Sequence, residues 1–192
     1  MMKAVVICED HQLDEYIIRP VIKRIFAEHR RKVDVTFVPR TLVRGVAEAL
    51  QKSKLKIVLD RYGMADAFFL IVDRDCQTNR EAKVSQRLVE AADADKTLFA
   101  CIAIEELEVW ALALHRKQLK VDWTTIRSNC DPKSNYFKPF IVRKRWETTL
   151  GQGRKTALAN LTAKWSALKN SCSEIADLSE QVREWLDARR DD

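Results

Sequence analysis

The run Ala67-Phe68-Phe69-Leu70-Ile71-Val72 is apolar throughout and breaks directly onto Asp73-Arg74-Asp75. A stretch with no alternation has no wet face to offer. It predicts a strand covered on both sides, as in the interior of a parallel sheet. Carboxylates at the end of such a strand arrive at the edge where open α/β sheets keep their ligands. The acid-x-acid spacing alone is a weak sign, because 28 Asp and Glu stand among 192 residues. Asp93-Ala94-Asp95 repeats it in a polar helix end, where it reads as solvated surface.

The neighbouring segments repeat the theme. Lys3 to Cys8 (KAVVIC) predicts a first strand running into Glu9-Asp10. Leu13 to Phe26 carries apolar residues three and four apart, an amphipathic helix that Pro20 should kink or split. Val33 to Val38 predicts a second strand, and Thr41 an N-cap for a helix reaching about Leu59. After Asp75, Thr78 or Asn79 can cap a helix built on Val84, Leu88 and Val89. Thr97 to Ile104 predicts a fourth strand, closed by Glu105-Glu106 and a helix with Leu107, Trp110, Ala111 and Leu114 on one face.

This alternation predicts an α/β fold with a mainly parallel central sheet of about four strands, flanking helices and right-handed crossovers. From Lys117 to Leu150 the pattern fades into loops. Two helices then follow, one on Leu158, Leu161, Trp165 and Leu168, the other on Ile175, Leu178, Val182, Trp185 and Leu186. We expect a core over residues 1–115, with residues 116–192 as a basic loop and helical extension packed on it.

Three of the expected strands end in acids: Glu9, then Asp73 and Asp75, then Glu105 and Glu106. In a parallel sheet these ends share one edge. Converging carboxylates repel, and a hard divalent cation such as Mg2+ (or Mn2+) relieves them. Such an ion could polarise a phosphoryl oxygen and steady a leaving oxygen.

Charge adds a second clue. Arg116 to Lys169 holds thirteen Lys and Arg against three Asp and Glu, so +10 falls there and −4 elsewhere in a chain of net +6. An acidic focus beside a basic flank suits a metal site facing a polyanion, although a solvated basic surface gives the same count. Within the flank, Lys138, Arg143, Lys144 and Arg145 mingle with Tyr136, Phe137, Phe140 and Trp146, a mixture that grips nucleic-acid backbones and stacks on bases. Gly151-x-Gly153-Arg154-Lys155 opens a helix where backbone N–H groups and two cations could meet a phosphate. It falls short of a P-loop, and a flexible turn explains it equally well.

Four glycines and four prolines exclude collagen-like and low-complexity classes. No run is long enough to span a bilayer, and no signal-peptide pattern opens the chain. Five scattered cysteines show neither zinc nor disulfide spacing, which predicts a reducing, cytoplasmic setting.

A glutamate closing the first strand and an Asp-x-Asp closing a later one resembles the Toprim domain, shared by topoisomerases, bacterial primases and the overcoming-lysogenization-defect (OLD) nucleases. The wider layout is similar to small stand-alone Toprim-like proteins encoded beside ATPases and linked to antiphage defence. The pieces that carry this likeness are Ala103-Ile104-Glu105-Glu106-Leu107-Glu108-Val109-Trp110, Asp131-Pro132-Lys133, Gly151-Gln152-Gly153-Arg154-Lys155, and Cys172-Ser173-Glu174-Ile175 before Trp185-Leu186. The resemblance implies that Glu9, Asp73 and Asp75 ligate magnesium with a further acid from Glu105, Glu106 or Glu108, and that Lys133 or Lys138 stands near the transferring phosphate. It implies a magnesium-dependent nuclease acting on nucleic acid, DNA favoured over RNA, with a partner ATPase of the ABC/SMC-like type through which it could oligomerise. The chain departs from the family at Asp10, where glycine usually follows the first glutamate; Asp14 and Glu15 are the next acids. That change favours the alternative, a non-catalytic Toprim-like subunit for assembly or nucleic-acid binding. A nucleotide-binding sensor using the same edge is a third reading.

Overall fold

The structure is a computed structural model and describes Met1 to Arg189; the last three residues of the expected extension lie outside the described residues. Strands β1 (Met2–Ile7), β2 (Val33–Phe37), β3 (Ala67–Asp73) and β4 (Leu98–Ala103) form one parallel sheet in the order β2-β1-β3-β4. β3 sits inside it, with Val6 opposite Phe69 on one side and Asp73 opposite Ala103 on the other. Its side chains from Ala67 to Val72 are all buried, as an unalternating apolar run requires.

Helix α1 (His11–Glu28) leads from β1 to β2, α2 (Gly45–Ala49) and α3 (Lys52–Arg61) lead back across to β3, and α4 (Arg80–Asp93) leads on to β4. The chain therefore leaves β1 in one direction and β3 in the other. Their carboxyl ends flank the point where strand order reverses, the crevice where ligands bind in open sheets. One face of the sheet carries Val6, Phe69, Ile71 and Phe99, with Phe69 against Phe26 of α1 and Phe99 against Trp185. The same apolar cluster continues into Trp110, Phe137, Phe140, Trp165, Ile175, Val182 and Leu186. The other face packs Val5, Ile7, Phe68, Leu70 and Val72 against Leu55, Val58, Leu59 and Val84.

The remaining helices are α5 (Glu108–Ala113), α6 (Trp123–Arg127), α7 (Lys138–Lys144), α8 (Arg154–Ala157), α9 (Trp165–Ser171) and α10 (Ser173–Ala188), with a π-helical turn over Lys133–Phe137. At the end of α1, Glu28 gathers Trp165 Nε1 at 2.8 Å, Lys169 Nζ at 2.7 Å and Ser179 Oγ at 3.1 Å. This one carboxylate ties α1 to both α9 and α10.

Several local expectations give way to tertiary structure. α1 runs unbroken through Pro20, because Ile17, Ile18, Val21 and Ile22 are fully buried and their packing outweighs one missing backbone bond. Thr41 lies in a turn, and the helix expected after it is two, broken where the buried Arg87 guanidinium donates to the Leu50 carbonyl at 2.8 Å. Leu158 and Leu161 lie between α8 and α9 rather than inside a helix. The cysteine reading needs correction too. Cys76 and Cys130 form a disulfide, with Cα atoms 5.5 Å apart across 54 residues of sequence, while Cys8, Cys101 and Cys172 are buried free thiols. Spacing along the chain gave no hint, because the fold and not the sequence brings the two loops together. Among the described residues no helix is long and apolar enough to cross a membrane.

Candidate metal centre

Asp73 is the last residue of β3, and Asp75 follows it in a turn whose backbone is left-handed at both Asp75 (φ 50°) and Cys76 (φ 53°). Such values are uncommon for residues with a side chain. The turn is held by the disulfide at Cys76, by the Cys76 N–H donating to the Glu105 carboxylate at 2.5 Å and the Asp75 N–H to the Glu105 carbonyl at 3.1 Å, by the Gln77 N–H closing on the Arg74 carbonyl at 2.9 Å, and by Arg80 donating to Asp75 at 2.9 Å. Asp73 accepts the Leu107 N–H at 2.9 Å, so the loop after β4 orients the acid that ends β3.

Carboxylate oxygens of Asp73, Asp75 and Glu106 lie within 4.8 Å of one another. Oxygens on one magnesium stand up to about 4.2 Å apart, twice the usual ligand distance. The three oxygens are near enough to close on one hard cation. Its protonation tells the same story. Burial, then Glu108, Asp14 and Asp75, holds the Asp73 carboxyl far above its ordinary range. Burial lifts Asp75 despite Arg80. Burial carries Glu106 to about 7 although the Lys133 N–H opposes it. Negative charge crowded out of water is what a divalent cation stabilises.

The two other expected acids take different places. Glu9 stands outside the triad; burial and then Asp75 raise its carboxyl, with Lys133 and Arg80 acting against them. Glu105 is not presented to a cation: it is 2% exposed, accepts Arg74 and the Cys76 N–H, and is held below the usual range by them against the cost of burial. It braces the turn that bears Asp75.

Lys133 belongs to the same edge. Its N–H donates to Glu106 at 2.6 Å and its ammonium lies 3.3 Å from Glu108. Burial pulls that ammonium towards neutrality, but Glu108 and Glu106 outweigh it, so the group is held cationic. Glu108 is also paired with Arg154, both only 1–2% exposed. Asp14 completes the cluster. It accepts the Asp10 N–H at 2.9 Å, and burial carries its carboxyl to about 7. Asp10 itself accepts the Gln12 N–H at 3.1 Å and caps α1.

The basic side is less uniform than the sequence suggested. Lys138 and Lys155 are exposed. Arg143 and Lys144 lie over the Phe140 ring at 5.5 and 5.8 Å, and Arg143 donates to the Gln118 carbonyl at 2.8 Å. Arg145, exposed, ends α7 in a left-handed conformation. Phe137 and Phe140 are buried, so they serve the core rather than a stacking surface. Arg154, expected to face nucleic acid, is instead the buried partner of Glu108. Nor do the two glycines form a phosphate loop: α8 has four residues, and a Cβ would meet Tyr16 at 2.4 Å from Gly151 and Ile141 at 2.6 Å from Gly153. Their absent side chains make room for packing.

Sequence reasoning missed Arg80 and the disulfide, and named Asp14 only as an acid following Glu9. Nothing in the pattern paired Cys76 with Cys130. A concavity of about 860 Å³ lies away from the acids, lined by residues such as Leu114, Trp123 and Lys164. It carries no convergent carboxylates, so chemistry rather than volume selects the site. No family model, curated protein or solved structure matches this chain.

Proposed function

We propose that this chain is a Toprim-like, magnesium-dependent nuclease that hydrolyses phosphodiesters as the effector of a partner ATPase, in the setting of antiphage defence. The observation that carries the reading is the triad Asp73, Asp75 and Glu106 at the switch point of a parallel sheet, with the Lys133 ammonium beside it. Asp73, Asp75 and Glu106 would hold the ion, with Glu9 within electrostatic reach of Asp75. When bound, a divalent cation polarises a phosphoryl oxygen and supplies a nucleophile at neutral pH. Leu107 fixes Asp73 through its N–H, and Lys133 fixes Glu106. The Lys133 ammonium, kept charged by Glu108, is available to negative charge on a phosphate. Exposed Lys138, Arg145 and Lys155, with Arg143 and Lys144, supply the flank for a strand, DNA in preference to RNA.

The test is cleavage of single- and double-stranded DNA and RNA with Mg2+ or Mn2+, alone and with a candidate partner ATPase, against an Asp73→Ala control. Metal-dependent cleavage that the control lacks supports the reading; equal cleavage by the control overturns it.

The second reading, a non-catalytic Toprim-like subunit, draws on Arg80 neutralising Asp75 at 2.9 Å and on Glu9 standing outside the triad. It predicts nucleic-acid or partner binding with no metal-dependent cleavage at all.

A further inference from the structure

The disulfide joins the two loops that frame the triad. Cys76 follows Asp75 directly, and Cys130 lies three residues before Lys133. Both of its residues are exposed, whereas the other three cysteines are buried thiols. A dissolved thiol can therefore reach this pair and leave the rest of the sulfur chemistry untouched.

The turn it holds is closed by the Gln77 N–H on the Arg74 carbonyl at 2.9 Å and leans on Glu105, which accepts the Asp75 N–H at its carbonyl and the Cys76 N–H at its carboxylate. Asp75 and Cys76 are consecutive left-handed residues, a conformation that persists only where surrounding structure imposes it. On the other side, Asn129 accepts from the Asp131 N–H and from Asn135, both at 2.9 Å, and Asp131 accepts the Ser134 N–H at 3.0 Å. Those contacts are internal to the second loop. Apart from the disulfide, the second loop reaches the acidic edge through Lys133, by its N–H on Glu106 and its ammonium near Glu108.

We propose that Cys76–Cys130 is a thiol-exchangeable clamp that sets the cation affinity of the acidic edge. Closed, it keeps Asp75 beside Asp73 and Glu106 and keeps the Lys133 loop against them. Opened, it frees the left-handed turn to relax and Asp75 to leave. The inference rests on the cation-binding reading above. Opening is ordinary exchange with a dithiol reductant. One reductant thiolate attacks a sulfur of the pair and breaks the S–S bond, giving a mixed disulfide. The second reductant thiolate then displaces the protein sulfur. The protein gains two electrons and two protons, and the dithiol leaves as its own disulfide. Exposed disulfides belong to the labile, regulatory class, and those in thiol-rich compartments are mostly transient or sensing.

The experiment compares the full chain in two forms, oxidised with three free thiols and reduced by dithiothreitol with five, counted by intact mass after alkylation under denaturing conditions. Apparent Mn2+ affinity is read in each form from the metal dependence of Tm. Reduction should weaken it about tenfold or more, the scale at which outer contacts tune metal sites. Cys130→Ser, and separately Cys76→Ser with Cys130→Ser, should match the reduced form with or without dithiothreitol. Equal affinity in both forms overturns the clamp, as does a double variant that still responds to dithiothreitol or a mildly oxidised chain with five free thiols. A different pattern, no Mn2+ response in either form, overturns the cation reading itself and the clamp with it.

Discussion

Lys133 donates its backbone N–H to Glu106 at 2.6 Å while turning its ammonium towards Glu108. One residue thus orients an acid of the triad with its main chain and supplies a cation with its side chain. The two roles separate by mutation. Lys133→Ala keeps the N–H and should leave the metal-induced rise in Tm intact, yet lower phosphodiester cleavage about 10²-fold or more, the usual loss when one preorganised charge is removed. Thermal melting and cleavage kinetics on the same protein check this.

Divalent cations should stabilise the fold by mass action on the native state. Mg2+ or Mn2+ should raise Tm by several degrees, and Asp73→Asn should abolish most of that rise. Asp93→Asn, at the end of α4 and outside the triad, should leave it unchanged. Equal responses from the two variants would refute the site.

The pH dependence has a definite sign. Asp14 and Glu106 are carried to about 7 in the fold, against roughly 4 for unfolded chains. A raised carboxyl binds its proton more tightly when folded, so its stabilisation is complete below about pH 4 and is lost as pH rises through about 7. Metal-free protein should therefore melt at lower temperature at pH 8 than at pH 5.5 through these groups. Added Mg2+ should recover most of the loss, because it replaces the protons. Asp14→Asn should flatten the metal-free slope without removing the Mg2+ response. Melting curves across this range, with and without metal, measure both.

Arg154 and the cluster Arg143, Lys144 and Arg145 should behave oppositely. Arg154→Met strips a buried partner from Glu108 and should cost about 3–5 kcal/mol, a fall in Tm on the order of 10 °C. The Arg143, Lys144 and Arg145 triple alanine variant should leave Tm within a few degrees but flatten the salt dependence of nucleic-acid binding. If the cluster instead docks the ATPase, the triple variant loses co-purification and keeps its salt slope. Affinity measured over a range of salt, beside a pull-down, separates these outcomes.

The sheet was legible because β3 is apolar from Ala67 to Val72 and then breaks onto Asp73. The acids at the strand ends followed from the same logic, which is how Asp73 and Asp75 could be named in advance. Glu105 and Glu106 could not be told apart, since adjacent residues after β4 point different ways and only the fold decides which meets Arg74. Arg154 failed for a related reason. An arginine beside glycines and a lysine looks solvent-facing, and nothing local announces a buried glutamate 46 residues away. The cysteines show the limit most plainly: a covalent bond across 54 residues leaves no periodic trace.

Glu28 makes its contacts with residues 137, 141 and 151 positions further along. In a chain emerging from the ribosome, α1 is complete long before those donors exist. At roughly 5–20 residues per second, the wait from Glu28 to Ser179 is about 8–30 s. During that interval the apolar side of α1 has the sheet to rest on but not α10, and the Phe26 ring lacks the Trp185 edge it meets at 6.4 Å. The acidic edge can thus be assembled on a nascent chain whose final helices have yet to appear. Until they arrive, the Phe26 end of α1 keeps an apolar surface that only the last helix covers.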